Sequence, residues 1–106
     1  MALDLRDTSK YPRTATLTGN NTTVVEIKIP VQAYKITIGS TVDTVKIFAY
    51  DGLADGDSVP TSNYQFVTVN NILEFRIGRG STRRDNIFVA FGTSATGLIN
   101  VVVEEI

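Results

Sequence analysis

The chain has 106 residues, 42% hydrophobic and 20% charged, with a formal net charge of −1 and neither cysteine nor histidine. That length and composition fit one ordinary globular domain. The charge speaks against a general nucleic-acid binder, which needs a basic excess, and the missing cysteines remove any disulfide framework or thiolate metal site.

At the start, Asp4, Arg6 and Asp7 stand where a secretory signal needs an apolar stretch. No later run approaches the roughly eighteen apolar residues of a membrane helix. The expectation is a soluble protein with no membrane partner and no export through such a signal. Residues 1–13 mix charges of both signs with few apolar groups, and Pro12 disfavours regular pairing. They read as an extended arm ahead of a single domain spanning 14–106.

From Thr14 onward β-formers dominate, with Gly, Asn and Asp at intervals of about ten residues, the punctuation of sandwiches and barrels. The predicted strands are 14–18, 22–29, 34–38, 43–50, 64–69, 72–77, 86–91 and 98–104. Val25, Ile27 and Ile29 alternate with Glu26 and Lys28, and Pro30 ends that run. Tyr34, Ile36 and Ile38 alternate with Lys35 and Thr37, and Ile99, Val101 and Val103 with Asn100 and Glu104. A period of two with one polar face marks half-buried antiparallel strands. The fold class is therefore all-β, an antiparallel sandwich of about eight strands, jelly-roll-like or a related Greek key.

Val69-Asn-Asn-Ile72 has the chemistry of a two-residue hairpin, because Asn tolerates positive φ. With Asn70-Asn71 as the loop, Val69 faces Ile72 and Phe66 faces Phe75. Tyr64, Phe66, Leu73, Phe75 and Ile77 then point to the core, and Gln65, Glu74 and Arg76 to water.

Two strands break the alternation. Segment 45–50 leaves Phe48 and Tyr50 outward, and segment 86–91 leaves Phe88 and Ala90 outward. Two readings stand open: a central strand covered on its second side by loops or the arm, or a subunit interface made by Phe48, Tyr50, Phe88 and Val102.

Candidate chemistry is sparse. Six serines have no histidine to act as base, and the four lysines show no motif spacing, so no catalytic residue and no enzymatic activity is expected. The loop from Asp51 to Asp57 carries three carboxylates, but their spacing is not that of an EF-hand and Asp-Gly is ordinary turn chemistry. No metal or other cofactor is expected. Arg76, Arg79, Arg83 and Arg84 form the one concentrated basic patch around a Gly-containing loop. Gly-x-Gly alone is a weak phosphate signal. The choices are a solvated hairpin loop or contact with an acidic partner surface, for which Arg suits bidentate carboxylate recognition.

The segments 13–19, 22–30, Ala49-Tyr-Asp-Gly52 and Glu74-Phe-Arg-Ile-Gly-Arg-Gly80, in that order, resemble small β-sandwich structural proteins of tailed bacteriophages, above all the capsid decoration or cement proteins. The likeness spans roughly residues 13–105 and rests on pattern and turn placement. It implies a non-enzymatic virion protein made in the host bacterial cytoplasm and seated on the capsid surface. The major capsid protein would be its partner, and it would act as a homo-oligomer, trimer or dimer. Other virion components, such as a head fibre base or a neck or tail accessory protein, share the pattern. A carbohydrate-binding module is the remaining alternative, set back by the absence of Trp and the scatter of its four tyrosines.

Overall fold

The computed structural model describes residues 2–6, 13–31, 33–78 and 84–105. Nine strands run in chain order: β1 (Leu3–Asp4), β2 (Arg13–Gly19), β3 (Val25–Lys28), β4 (Ala33–Gly39), β5 (Val45–Phe48), β6 (Gln65–Val67), β7 (Ile72–Arg76), β8 (Asn86–Phe91) and β9 (Gly97–Glu105). They form a five-stranded sheet, β1-β3-β8-β5-β6, and a four-stranded sheet, β2-β9-β4-β7.

The pairings have a simple rule. β2 pairs with β9, β3 with β8, β4 with β7 and β5 with β6, all antiparallel, so the members of each pair add to 11. A chain folded into one long hairpin and then rolled gives these nested pairs. The further pairings β4 with β9 and β5 with β8 close the roll into two sheets. This is the jelly roll, the double-sheet solution for eight antiparallel strands.

Alternation explains where the core lies. Val25 and Ile27 of β3, Ile36 and Ile38 of β4, Val45 and Ile47 of β5, and Ile99, Val101 and Val103 of β9 all point between the sheets and are buried. Burying each contributes roughly 1.5–3 kcal/mol. The predicted inner faces hold at these positions, but Tyr34 and Ala49, set inward by the same alternation, depart from it: a register shift between Ala33 and Lys35 buries Ala33 instead of Tyr34, and Ala49, just past β5, is exposed.

Two broader expectations fail. The segment 64–77 is not a hairpin. β6 pairs with β5 (Val45 opposite Val67, Lys46 opposite Phe66), whereas β7 pairs with β4 (Ile38 opposite Leu73). The turn at 68–71 crosses from one sheet to the other. Its local chemistry is as expected: Asn70 has φ 66°, and the Asn71 amide donates to the Thr68 carbonyl at 3.1 Å. A corner between sheets and a hairpin ask for the same positive-φ residue, so the turn alone does not reveal the partner strand. Because β5 sets the facing of β6, Val67 is buried, while Phe66 is 54% and Tyr64 37% exposed rather than in the core.

Nor do residues 1–13 lie wholly outside the sandwich. Leu3–Asp4 adds a parallel strand to β3, and the Leu5 amide donates to the Lys28 carbonyl at 3.0 Å. The Leu5 side chain is 1% exposed and belongs to the core. β2 itself begins at Arg13. Beside the short parallel strand, Arg6 holds Asp4 through a 2.7 Å ion pair that draws the carboxyl well below the usual range.

Candidate functional site

The two outer faces of the sandwich differ. On the five-stranded sheet, Phe48 and Phe88 do point away from the main core, yet they are 0% and 1% exposed. With Val24 and Ala90 they form a second apolar cluster, capped by Tyr50, Leu53 and Val59 from the segment after β5. Tyr50 meets Phe48 edge-on at 6.5 Å, and the Tyr64 ring lies 5.6 Å from it. The subunit-interface role expected for Phe48 and Phe88 is thus corrected. The chain covers them itself, and Tyr50 is part of the cover.

Backbone bonds hold that cover down. The Val24 amide donates to Asp57 and the Gly56 amide to Val24, both at 2.9 Å, and Thr23 bridges Ser58. The carboxylates of the Asp-rich loop serve the same end. Asp55 accepts from the Glu26 amide at 2.8 Å, and Asp57 accepts from the Ala54 amide at 2.9 Å. Among the described residues no three acidic side chains converge as metal ligands.

The arginines separate. Arg79 and Arg83 lie outside the described residues. Arg84 is half-buried: its guanidinium donates to the Asn86 carbonyl at 3.0 Å and to Asn86 Oδ1 at 3.3 Å, and stands 3.6 Å from Asp51. Asn86 in turn donates to Glu26 at 2.8 Å. Arg84 is therefore an internal tie between β8 and the covering loop, which disagrees with a role as a free docking cation. Arg76 projects from the opposite side of the sandwich, 5.9 Å over the Tyr34 ring.

Among the described residues nothing covers the outer face of the four-stranded sheet. Register places Thr16, Asn100, Gly39 and Ile72 in one row across it, and Thr14, Val102, Thr37 and Glu74 in the next. Its middle carries no charge. The charges gather at one end, where Lys35 pairs with Glu104 at 2.8 Å and more loosely with Glu74 at 3.7 Å. The hydrogen bond to Glu104 raises the Lys35 pKa, so the ammonium stays charged.

Gly39 shapes the face. A Cβ there would lie 2.5 Å from the Asn71 carbonyl oxygen, so only glycine lets the 68–71 turn approach β4 this closely. The result is a depression of about 190 Å³ beside Asn100, Val102 and Ile72. A second hollow of about 450 Å³ between β2 and β9 shares Asn100 and Val102. Of the outward residues expected at a subunit interface, only Val102 lies on this face, on the opposite sheet from Phe48, Tyr50 and Phe88. The signal of this face in the sequence was Thr14-Ala-Thr-Leu-Thr18, an outward set that is polar yet uncharged.

At the end of the sandwich Asp43 joins two loops. It accepts from the Thr93 amide at 2.7 Å, the Thr93 hydroxyl at 3.1 Å, the Ser94 amide at 2.8 Å and the Thr44 amide at 2.7 Å. Burial pushes its carboxyl up, but the donated amides outweigh that and hold its pKa down at about 2. This is a staple, with all its partners inside the chain.

No family model, curated protein or solved structure matches the chain.

Proposed function

We propose that the protein is a non-enzymatic virion component, a decoration or cement protein that seats on the major capsid protein of a tailed bacteriophage head and stiffens the shell. The observation that carries this reading is the difference between its faces: one is sealed by the chain's own loop, and the other, among the described residues, is left uncovered and uncharged at its centre, with two shallow hollows. Such a face suits a protein surface better than a phosphate or a metal ion. No aromatic ring lines either hollow, which sets the face apart from a sugar-binding platform.

Four strands spaced about 4.8 Å apart and some five residues long present roughly 300–400 Å². A stable interface needs about 800 Å² per partner. One copy would therefore bind weakly through this face alone, and tight attachment would require several linked contacts.

Co-sedimentation with expanded, DNA-free heads is the test. Asn100→Lys places a charge at the centre of the open face, and Ala54→Lys places one on the exposed covering loop of the other. The expected result is that the first abolishes binding at unchanged melting temperature and the second does not. Binding unaffected by Asn100→Lys, or lost only with Ala54→Lys, would overturn the assignment of the face. Binding to tails but not heads would move the protein to the neck or tail.

A further inference from the structure

We infer that β7 is the seam of a symmetric dimer, pairing antiparallel with β7 of a second copy so that the four-stranded sheets join edge to edge. This does not depend on the capsid reading, because it is a property of the isolated protein.

β7 ends its sheet, with β4 on one side and no strand on the other among the described residues. The Ile77 amide donates to Tyr34 on the β4 side at 2.8 Å. By the period of two, the backbone groups of Leu73 and Phe75 also face β4, and those of Ile72, Glu74 and Arg76 face the open edge. An edge of this kind is a template for another strand, and natural sheets usually blunt it. Here it carries Ile72, 68% exposed, just after a turn that leaves Val69 exposed as well. On the inner side Leu73 and Phe75 are only half-buried, although they pack on the core.

Charge decides the occupant and the register. Because amides alternate sides, two copies of β7 can pair about a two-fold axis only when a residue stands opposite itself. Glu74 opposite Glu74, or Arg76 opposite Arg76, sets like charges face to face, which destabilises a pair. Phe75 opposite Phe75 puts Glu74 of each copy opposite Arg76 of the other, twice, in positions whose amides and carbonyls point across the edge. The same register sets Leu73 opposite Ile77 on the inner face. Among the described residues, Glu74 shares Lys35 at 3.7 Å with Glu104, which holds that lysine more closely at 2.8 Å, and Arg76 lies over the Tyr34 ring. An edge complementary to itself in backbone, charge and apolar positions fits a second copy better than an unrelated strand.

Sedimentation equilibrium at up to about 100 μM, a range that populates even a Kd near 10 μM, should give a dimer. Glu74→Arg should weaken it by about 30-fold, as two attractive cross-strand pairs become repulsive, and Arg76→Glu should do the same. The double exchange, Glu74→Arg with Arg76→Glu, should restore association, which a merely misfolded variant would not do. Because the chain has no cysteine, Phe75→Cys in the oxidised protein should give one disulfide-linked dimer, since facing Cα atoms about 4.5 Å apart in a non-hydrogen-bonded pair lie within disulfide reach. A monomer throughout, or a dimer indifferent to both single reversals, would overturn the inference. So would a double exchange that fails to restore association while its circular dichroism matches the parent.

Discussion

Replacing Asp43 by asparagine isolates one carboxylate that staples the 41–44 and 92–94 loops. Oδ2 takes three donated bonds from Thr93 and Ser94, and Oδ1 takes the Thr44 amide. An asparagine of the same shape has one acceptor oxygen, so its NH₂ must face an amide N–H on one side or the other. The carboxyl falls from its ordinary 3.8 to about 2. At 1.36 kcal/mol per unit that drop corresponds to about 2 kcal/mol, which partial solvent screening reduces to about 1–2 kcal/mol. With the displaced amide bond added, Asp43→Asn should cost about 2 kcal/mol at pH 7 and lower the melting temperature by about 10 °C. The sign follows from a pKa depressed on folding. The stabilisation is fully present above the unfolded value near 3.8 and is lost as pH falls through the folded value near 2. Urea unfolding followed by circular dichroism from pH 7 to pH 2 should show the gap between parent and variant constant down to about pH 4 and shrinking below it. A gap that ignores pH, or a variant as stable as the parent, would refute the staple.

Further outcomes follow from burial and backbone geometry. Phe48→Ala should destabilise the monomer by about 3–5 kcal/mol in chemical denaturation, because it empties the space beneath Tyr50; a docking residue would instead change association and leave stability alone. Leu5→Ala should cost about 2–4 kcal/mol, measured the same way, since the side chain is in the core. At Asn70, with φ 66°, glycine should be tolerated within a few tenths of a kcal/mol, whereas valine should cost about 1–2 kcal/mol in thermal melts.

Which residues face inward was legible wherever a strand has one wet side, as in Val25 and Ile27 or Val101 and Val103. Which strands are neighbours was not. Alternation is a property of one strand, while the nested pairing of β5 with β6 and β4 with β7 is a property of the roll, and Asn70-Asn71 serves either arrangement. Phe48 and Phe88 were rightly seen to point away from the main core. Their fate depended on Leu53 and Val59, isolated apolar residues in a polar loop that sequence periodicity cannot place. β1 was missed although Leu3-Asp-Leu-Arg6 alternates, because two paired residues fall below the length at which a pattern declares itself. The open face left only a weak trace, since an uncharged threonine row reads equally well as a plain solvated surface.

β9 is the last strand in chain order and an interior strand of its sheet, lying between β2 and β4. Until residues 97–105 have been synthesised, β2 has no neighbour in its sheet, and β4 has only β7. Half the sandwich must therefore wait for residues 97–105, and most of its contacts join distant segments. Chains of this kind fold slowly, over milliseconds to seconds, and meanwhile carry bare apolar strands such as Ile36–Ile38 that invite association with neighbouring nascent chains. The order of synthesis thus makes residues 97–105 a gate on the yield of soluble protein: truncation before Gly97 should leave insoluble material rather than a smaller domain.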